Sequence, residues 1–157
     1  MKRIGIVDTS FARFDMASSA IDQLHAQGGG FEVVRYTVPG IKDLAAGSRI
    51  LLDQGCDLVM ALGMVGRQTV DKDCALAADF GLQLVQAQTG KHIIGVMVHE
   101  EEAPDDEKLA WLFDRRTREH AINAYDLLFR PEAIRARAGT GQREGYADAG
   151  PIRVKLS

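Results

Sequence analysis

Short apolar runs alternate along this chain with longer stretches in which apolar residues recur at every third or fourth position. The short runs are residues 3–7 (RIGIV), 31–36 (FEVVRY), 58–62 (LVMAL) and 92–98 (HIIGVMV). Their continuous aliphatic, β-branched character predicts strands covered on both faces, as in a parallel sheet. Between them, Met16, Ala17, Ala20, Ile21 and Leu24 fall on one face of a helix over 14–26. Leu44, Ala45, Ile50 and Leu51 do the same over 41–54, and Ala75, Ala78, Leu82 and Val85 over 71–89. Pro104-Asp105-Asp106-Glu107 has the makeup of a first helical turn, with proline inside the start and carboxylates at the positive end of the dipole, and opens a long helix to about Phe129. Pro131 permits one short helix more. Asp8, Thr9 and Ser10 supply turn and cap chemistry after the first strand, and Thr69 is placed to cap a helix beginning near Val70.

Strand and helix thus alternate four times, with helical connections long enough for parallel crossovers. Right-handed crossovers give one domain spanning 1–157, a three-layer α/β/α sandwich with a flavodoxin-like four-stranded parallel sheet in the order 2-1-3-4. From residue 139 onward no periodic signal remains, so 139–157 reads as a C-terminal arm or tail. All four strand exits, around Thr9 to Phe11, Val38 to Ile41, Gly63 to Arg67 and His99 to Glu100, then lie on the carboxyl edge. Open α/β proteins bind their ligands there.

Composition narrows the class. The chain has 157 residues, 46% of them hydrophobic, and a formal charge of −3, which suits one core. An acidic balance without a basic footprint beyond Arg115, Arg116 and Arg118 argues against a nucleic-acid partner. Two cysteines, Cys56 and Cys74, predict no disulfide scaffold and a reducing compartment. The N-terminus runs straight into a strand pattern, and no apolar span reaches 18 residues. The expectation is a cytoplasmic protein with no membrane partner.

Candidate chemistry gathers at the exits. Phe11 directly follows two polar turn residues, where an aromatic serves either as cover for a planar ligand or as a staple onto the first helix. Pro39-Gly40 makes a turn. Gly63 and Gly66 permit close backbone approach, and the third exit lacks the ending of a phosphate loop. Asp71 and Lys72 stand at a helix start. His99 and Glu100 leave the last strand as neighbours that point to opposite faces. The run from Glu100 to Asp106 has the charge to attract a divalent ion, although helix entry explains most of it. Arg116 and His120 lie one turn apart, in line with Leu112 and Ala124, facing a pocket or a subunit interface; His25 and His92 read as structural or solvated. No HExxH, Cys-His metal spacing, GxSxG or GxGxxG occurs.

The segments IGIVDTSFARFDM, RYTVPGIKDL, GCDLVMALGMVGRQTVDKDC, HIIGVMVHE, RTREHAINAYDLLF and AGTGQREGYADAGP together cover much of the chain. In combination they resemble the archaeal-type riboflavin synthases, a family similar in fold to lumazine synthase. A lumazine synthase normally carries a histidine near the positions of Asp71 and Lys72, which this chain lacks, and an Arg-Ala-Gly phosphate-site pattern near the last helix, where this chain has Arg115-Arg116-Thr117 in a different setting.

The resemblance implies dismutation of two 6,7-dimethyl-8-ribityllumazine molecules into riboflavin and 5-amino-6-ribitylaminouracil, with no redox cofactor and an open question of stimulation by a cation such as Mg2+. It also implies a homopentamer with sites between subunits; in such an assembly the stretch 139–150 reads either as an arm that closes the next subunit's site or as a loose solvated end. On that reading Thr9, Ser10, Phe11, Val38, Pro39, Gly40, Ile41, Gly63, Met64, Val65, Arg116 and His120 are candidates for holding substrate. Lys42, Asp71, Lys72, His99 and Glu100 are candidates for proton transfer. A lumazine synthase and a non-catalytic flavin- or pterin-binding protein are the alternatives.

Overall fold

The structure, a computed structural model, describes residues 1–143 and 146–156. Glu144 and Gly145, within the expected arm, and the terminal Ser157 lie outside the described residues. In chain order the elements are β1 (Lys2–Thr9), α1 (Met16–Gln27), β2 (Phe31–Val38), α2 (Leu44–Asp53), β3 (Leu58–Val65), α3 (Thr69–Thr89), β4 (Ile93–His99), α4 (Asp106–Phe129) and α5 (Pro131–Arg137). One-turn 3-10 segments, Ile41–Asp43 and Glu100–Glu102, precede α2 and α4. The sheet is parallel throughout and its order is β2-β1-β3-β4, as the alternation predicts.

The side-chain period of two sorts the strands onto two cores. In β3, Leu58, Met60, Leu62 and Met64 join Ile4, Ile6, Val96 and Val98 beneath α1 and α4, against Met16, Leu24 and Phe113. The alternate residues Val59, Ala61 and Val65 join Val7 and Ile93 beneath α2 and α3, against Leu44, Leu51, Leu82 and Val85. Every residue of β3 is buried, and a fully buried aliphatic side chain contributes about 1.5–3 kcal/mol. A one-residue slip would exchange the two faces, so β3 fixes the register of the sheet.

Several boundaries differ from the sequence reading, each for a local reason. The third strand does not open at Gly63; it runs to Val65, with Gly63 paired to Met97 and Val65 to His99. A Cβ on Gly63 would stand 2.6 Å from Ile41 Cγ2 and 2.9 Å from Met97 Sδ. The glycine is there to admit the Ile41–Asp43 turn, and it leaves the strand unbroken. Thr69 is the first residue of α3 and does not cap it; Gln68 is the N-cap, and its N–H donates to Asp71 Oδ2 at 2.9 Å. Asp15 caps α1 by accepting from the Ser18 N–H at 3.1 Å, so that helix begins at Met16. Asp105 caps α4 through the Lys108 N–H at 2.8 Å, which leaves Pro104 outside the helix. Ile50 is 41% exposed, because the inner face of α2 is set by Leu44, Gly47, Ser48, Leu51 and Leu52. His25 stacks on Phe31 with centroids 5.1 Å apart, and His92 is exposed.

Candidate active site

The carboxyl rim of the sheet is split down its middle. Strands β1 and β3 pair only from Ile4 with Leu58 to Val7 with Ala61. Beyond that point β1 continues beside β2 alone, as far as Thr9 with Val38, and β3 beside β4 alone, as far as Val65 with His99. The chain leaves β1 toward α1 on one face and leaves β3 toward α3 on the other. A crevice at such a topological switch point follows from the order 2-1-3-4.

A cleft of about 190 Å³ occupies this split, lined by Phe11, Gly40, Ile41, Lys42, Asp43, Met64, Gly66, Asp71 and Cys74. Its first wall is zipped together by backbone bonds: Ser10 N–H donates to the Val38 carbonyl at 2.9 Å, and Phe11 N–H to the Pro39 carbonyl at 3.2 Å. The Thr9 hydroxyl accepts from Ala12 N–H at 3.3 Å and closes the turn that presents Phe11. Phe11 remains 53% exposed at the mouth, which does not fit a staple packed on α1. The Gly40 carbonyl is taken by Asp43 N–H at 3.0 Å. The amides at the start of the 3-10 turn have no partner within the turn. The second wall is the end of β3 and the first turn of α3. Gly66 abuts the Asp71 carboxylate so closely that a Cβ there would collide with it.

Of the residues singled out from sequence, Phe11, Gly40, Ile41, Lys42, Met64 and Asp71 meet in this cleft. Val38 and Val65 are buried beneath it, and Gly63 supports Ile41 from below. Pro39 contributes its carbonyl to the loop, and that oxygen also accepts from the Ser10 hydroxyl at 3.3 Å. Thr9 and Ser10 line a different recess, with Asp8, Arg13, Asp15, Arg35 and Thr37. There the buried Asp8 carboxylate accepts from Arg35 Nη2 and the Thr37 hydroxyl, both at 2.6 Å.

Lys72, His99, Glu100, Arg116 and His120 do not line the cleft. Lys72, Glu100 and Arg116 belong to a set of ion pairs around the Glu100–Glu102 turn, to which His99 adds only its backbone N–H. Glu100 pairs with Arg13 at 3.1 Å and Arg67 at 3.5 Å, and Glu101 pairs with Lys72 at 2.7 Å. Arg116 grips Glu102 with two bonds of 2.8 Å and donates to the Met97 carbonyl at 3.0 Å. That grip holds the Glu102 carboxyl below the usual range, against the opposing effect of burial, and the His99 N–H adds to it at 2.8 Å. The acidic run is therefore neutralised by side chains from three other parts of the fold. Among the described residues no group of three or more His, Cys, Asp and Glu is placed to hold a metal ion.

A family model described as 6,7-dimethyl-8-ribityllumazine synthase matches residues 1–132. The chain belongs to this lumazine synthase family. Within it, the chain is similar to proteins named riboflavin synthase from archaea. It is 48% identical over 153 residues to that of Methanothermobacter thermautotrophicus, covering 97% of this chain and all of the relative. It is 48% identical over 153 residues to that of Aeropyrum pernix, covering 97% and 99%. It is 46% identical over 151 residues to that of Archaeoglobus fulgidus, covering 96% and 98%.

The cleft includes two residues that the sequence reading did not nominate, Asp43 and Cys74, beside Gly66, which it singled out for close backbone approach. Cys74 stands one helical turn after Asp71, so placing either at the rim places both. Asp43 shares a single 3-10 turn with Lys42. Asp79 also escaped notice, being twenty positions from its partner in sequence. Burial pushes its carboxyl up, and the charge of His99 opposes that push; neither residue borders the cleft.

Proposed function

We infer that this chain is a riboflavin synthase, a transferase that moves a four-carbon unit between two 6,7-dimethyl-8-ribityllumazine molecules to give riboflavin and 5-amino-6-ribitylaminouracil. The observation that carries the reading is similarity over nearly the whole chain to archaeal proteins bearing that name. The cleft agrees with it. An exposed aromatic ring stands at the mouth, and neither the substrate nor the products carry a phosphate that would need an arginine clamp.

The substrate supplies an acidic ring methyl and an electrophilic ring carbon, so the larger task of the protein is to hold two flat rings in opposed register. Phe11 covers one ring, and the amides of Ile41 and Lys42 read its edge. Proton transfer falls to Lys42 or Asp71, the two nominated titratable groups that border the cleft. Lys72 and Glu100 are better described as ion-pairing residues.

A cleft of about 190 Å³ in one chain is below the roughly 300–1,000 Å³ of pockets for single drug-sized ligands. A slot for the two rings that the dismutation needs is therefore not complete within a single chain. We assign its completion to a second copy, in a homopentamer with sites between neighbours. Leu76, Phe80 and Leu84 form an exposed stripe, one turn apart on α3, of the kind that an assembly covers. In the tail, Ile152, Val154 and Leu156 are exposed as well and suit an arm that reaches a neighbour. Phe80→Glu is expected to convert the pentamer to smaller species in sedimentation velocity and to abolish turnover; an unchanged sedimentation coefficient would remove α3 from the interface. No helix among the described residues is long and apolar enough to cross a membrane, and we place the reaction in the cytoplasm.

The family match also favours a second reading, in which the chain forms dimethylribityllumazine from 3,4-dihydroxy-2-butanone 4-phosphate and 5-amino-6-ribitylaminouracil. One pair of incubations separates the two. With dimethylribityllumazine alone, riboflavin and the diamine should appear in equal amounts. Consumption of the butanone phosphate would establish the second reading, and ring binding without product in either incubation would mark a carrier.

A further inference from the structure

The split rim poses a mechanical problem. Its first half, the ends of β1 and β2, is joined to the second half, the ends of β3 and β4, by strand pairing only as far as Val7 and Ala61. Above that level the two cleft walls have no ladder between them. Phe11 belongs to one wall, and Met64 and Gly66 to the other.

One carboxylate spans the gap. Glu100 Oε2 accepts from Arg13 Nη1 at 3.1 Å, and Glu100 Oε1 lies 3.5 Å from Arg67 Nε. Arg13 stands two residues after Phe11 in the first wall, and Arg67 directly follows Gly66 in the second. Arg67 Nη2 also donates to the Glu100 carbonyl at 3.3 Å, and Arg13 Nη2 to Asp106 at 2.9 Å in the first turn of α4. The Glu100 side chain is only 17% exposed, whereas the arginines are 47% and 56% exposed. Its own turn is fixed on both sides by the pairs of Glu101 with Lys72 and Glu102 with Arg116.

We propose that Glu100 is a positioning residue that clasps the two walls through Arg13 and Arg67 and so sets the width of the ring slot. It exchanges no proton with substrate. The proposal rests on the riboflavin synthase reading for its kinetic consequence, but its geometric consequence is independent of that reading. The arginine ends of these ion pairs are half-exposed, and solvent screening there keeps their contribution to global stability small, so loss of the clasp should leave the melting temperature nearly unchanged. Displacement of one reacting ring by about 1 Å can cost two orders of magnitude in rate.

The test compares Glu100→Gln, Arg13→Gln and the double variant with the wild type in the assembled protein. Both single variants are expected to lower kcat/KM about 10- to 100-fold, with a raised KM. The double variant should lose no more than either single one, because both remove the same clasp. The shape of the pH-rate profile should not change. Loss of one limb of that profile in Glu100→Gln alone would make Glu100 a proton-transfer group and overturn the proposal. Independently of turnover, Cys74 in the cleft should react several-fold faster with a small disulfide reagent in either variant, as the walls part. Cys56 is fully buried and serves as the internal control. Unchanged Cys74 labelling would sink the clasp even in an active enzyme. Faster labelling in a protein that makes no riboflavin would retain the clasp and reject the function.

Discussion

Replacing Phe11 with alanine is expected to lower kcat/KM for dimethylribityllumazine by about 10- to 100-fold while leaving the melting temperature within experimental scatter. Stacking of a flat heterocycle on an aromatic side chain is worth about 1–3 kcal/mol, and every 1.4 kcal/mol is a factor of ten. The stability side of the expectation rests on exposure. Phe11 is 53% exposed, and the contacts that hold its loop are the Ser10 and Phe11 amides on the Val38 and Pro39 carbonyls, which survive truncation of the ring. Phe11→Trp should recover most of the lost rate, because the larger face preserves stacking. Steady-state kinetics beside calorimetry decide the matter. A variant that melts early would return Phe11 to the role of staple, and one that turns over normally would remove it from the site.

Gly63→Val should have the opposite signature, with stability and activity falling together. The new Cβ would lie 2.6 Å from Ile41 Cγ2, 2.9 Å from Met97 Sδ and 3.4 Å from Leu44 Cδ1, so one of these neighbours has to move. Overpacking of a core costs typically 1–3 kcal/mol, and at this chain length about 3 kcal/mol lowers the melting temperature by roughly 6–12 °C. Ile41 is the neighbour at the edge of the core, and its displacement shifts the turn that carries Lys42 and Asp43 into the cleft. Gly40→Ala is the control, since a Cβ there has nothing within 4 Å. Equal thermal stability of Gly63→Val and the wild type would show that the turn is more compliant than its packing suggests.

Some of the candidate site was legible in the sequence. Phe11 stood out because an aromatic after Thr9 and Ser10 had no obvious core to enter, and it does remain outside the core. Lys42 and Asp71 were named from their positions at strand exits, and both border the cleft. Lys72, His99 and Glu100 were named on the same grounds and do not. Lys72 pairs with Glu101, 29 positions away, and Glu100 with Arg67 and Arg13, 33 and 87 positions away, and no spacing rule reports such distances. Gly63 was read correctly as a place of close approach but wrongly as the end of a strand. A glycine before another glycine looks the same in sequence whether it breaks a ladder or makes room for a neighbouring turn.

The linear sequence determined the order of the strands, the two core faces and the edge that carries the cleft. These follow from periodicities of two and of three to four, which are properties of neighbouring residues, and from the handedness of parallel crossovers. Only the tertiary structure decided how far β1 and β3 stay paired, where the rim divides, and which carboxylate bridges the division. Twist and packing, acting across the whole sheet, set the level at which two strands part. A charge on one loop acquires its role from whichever loop the fold brings within 4 Å of it.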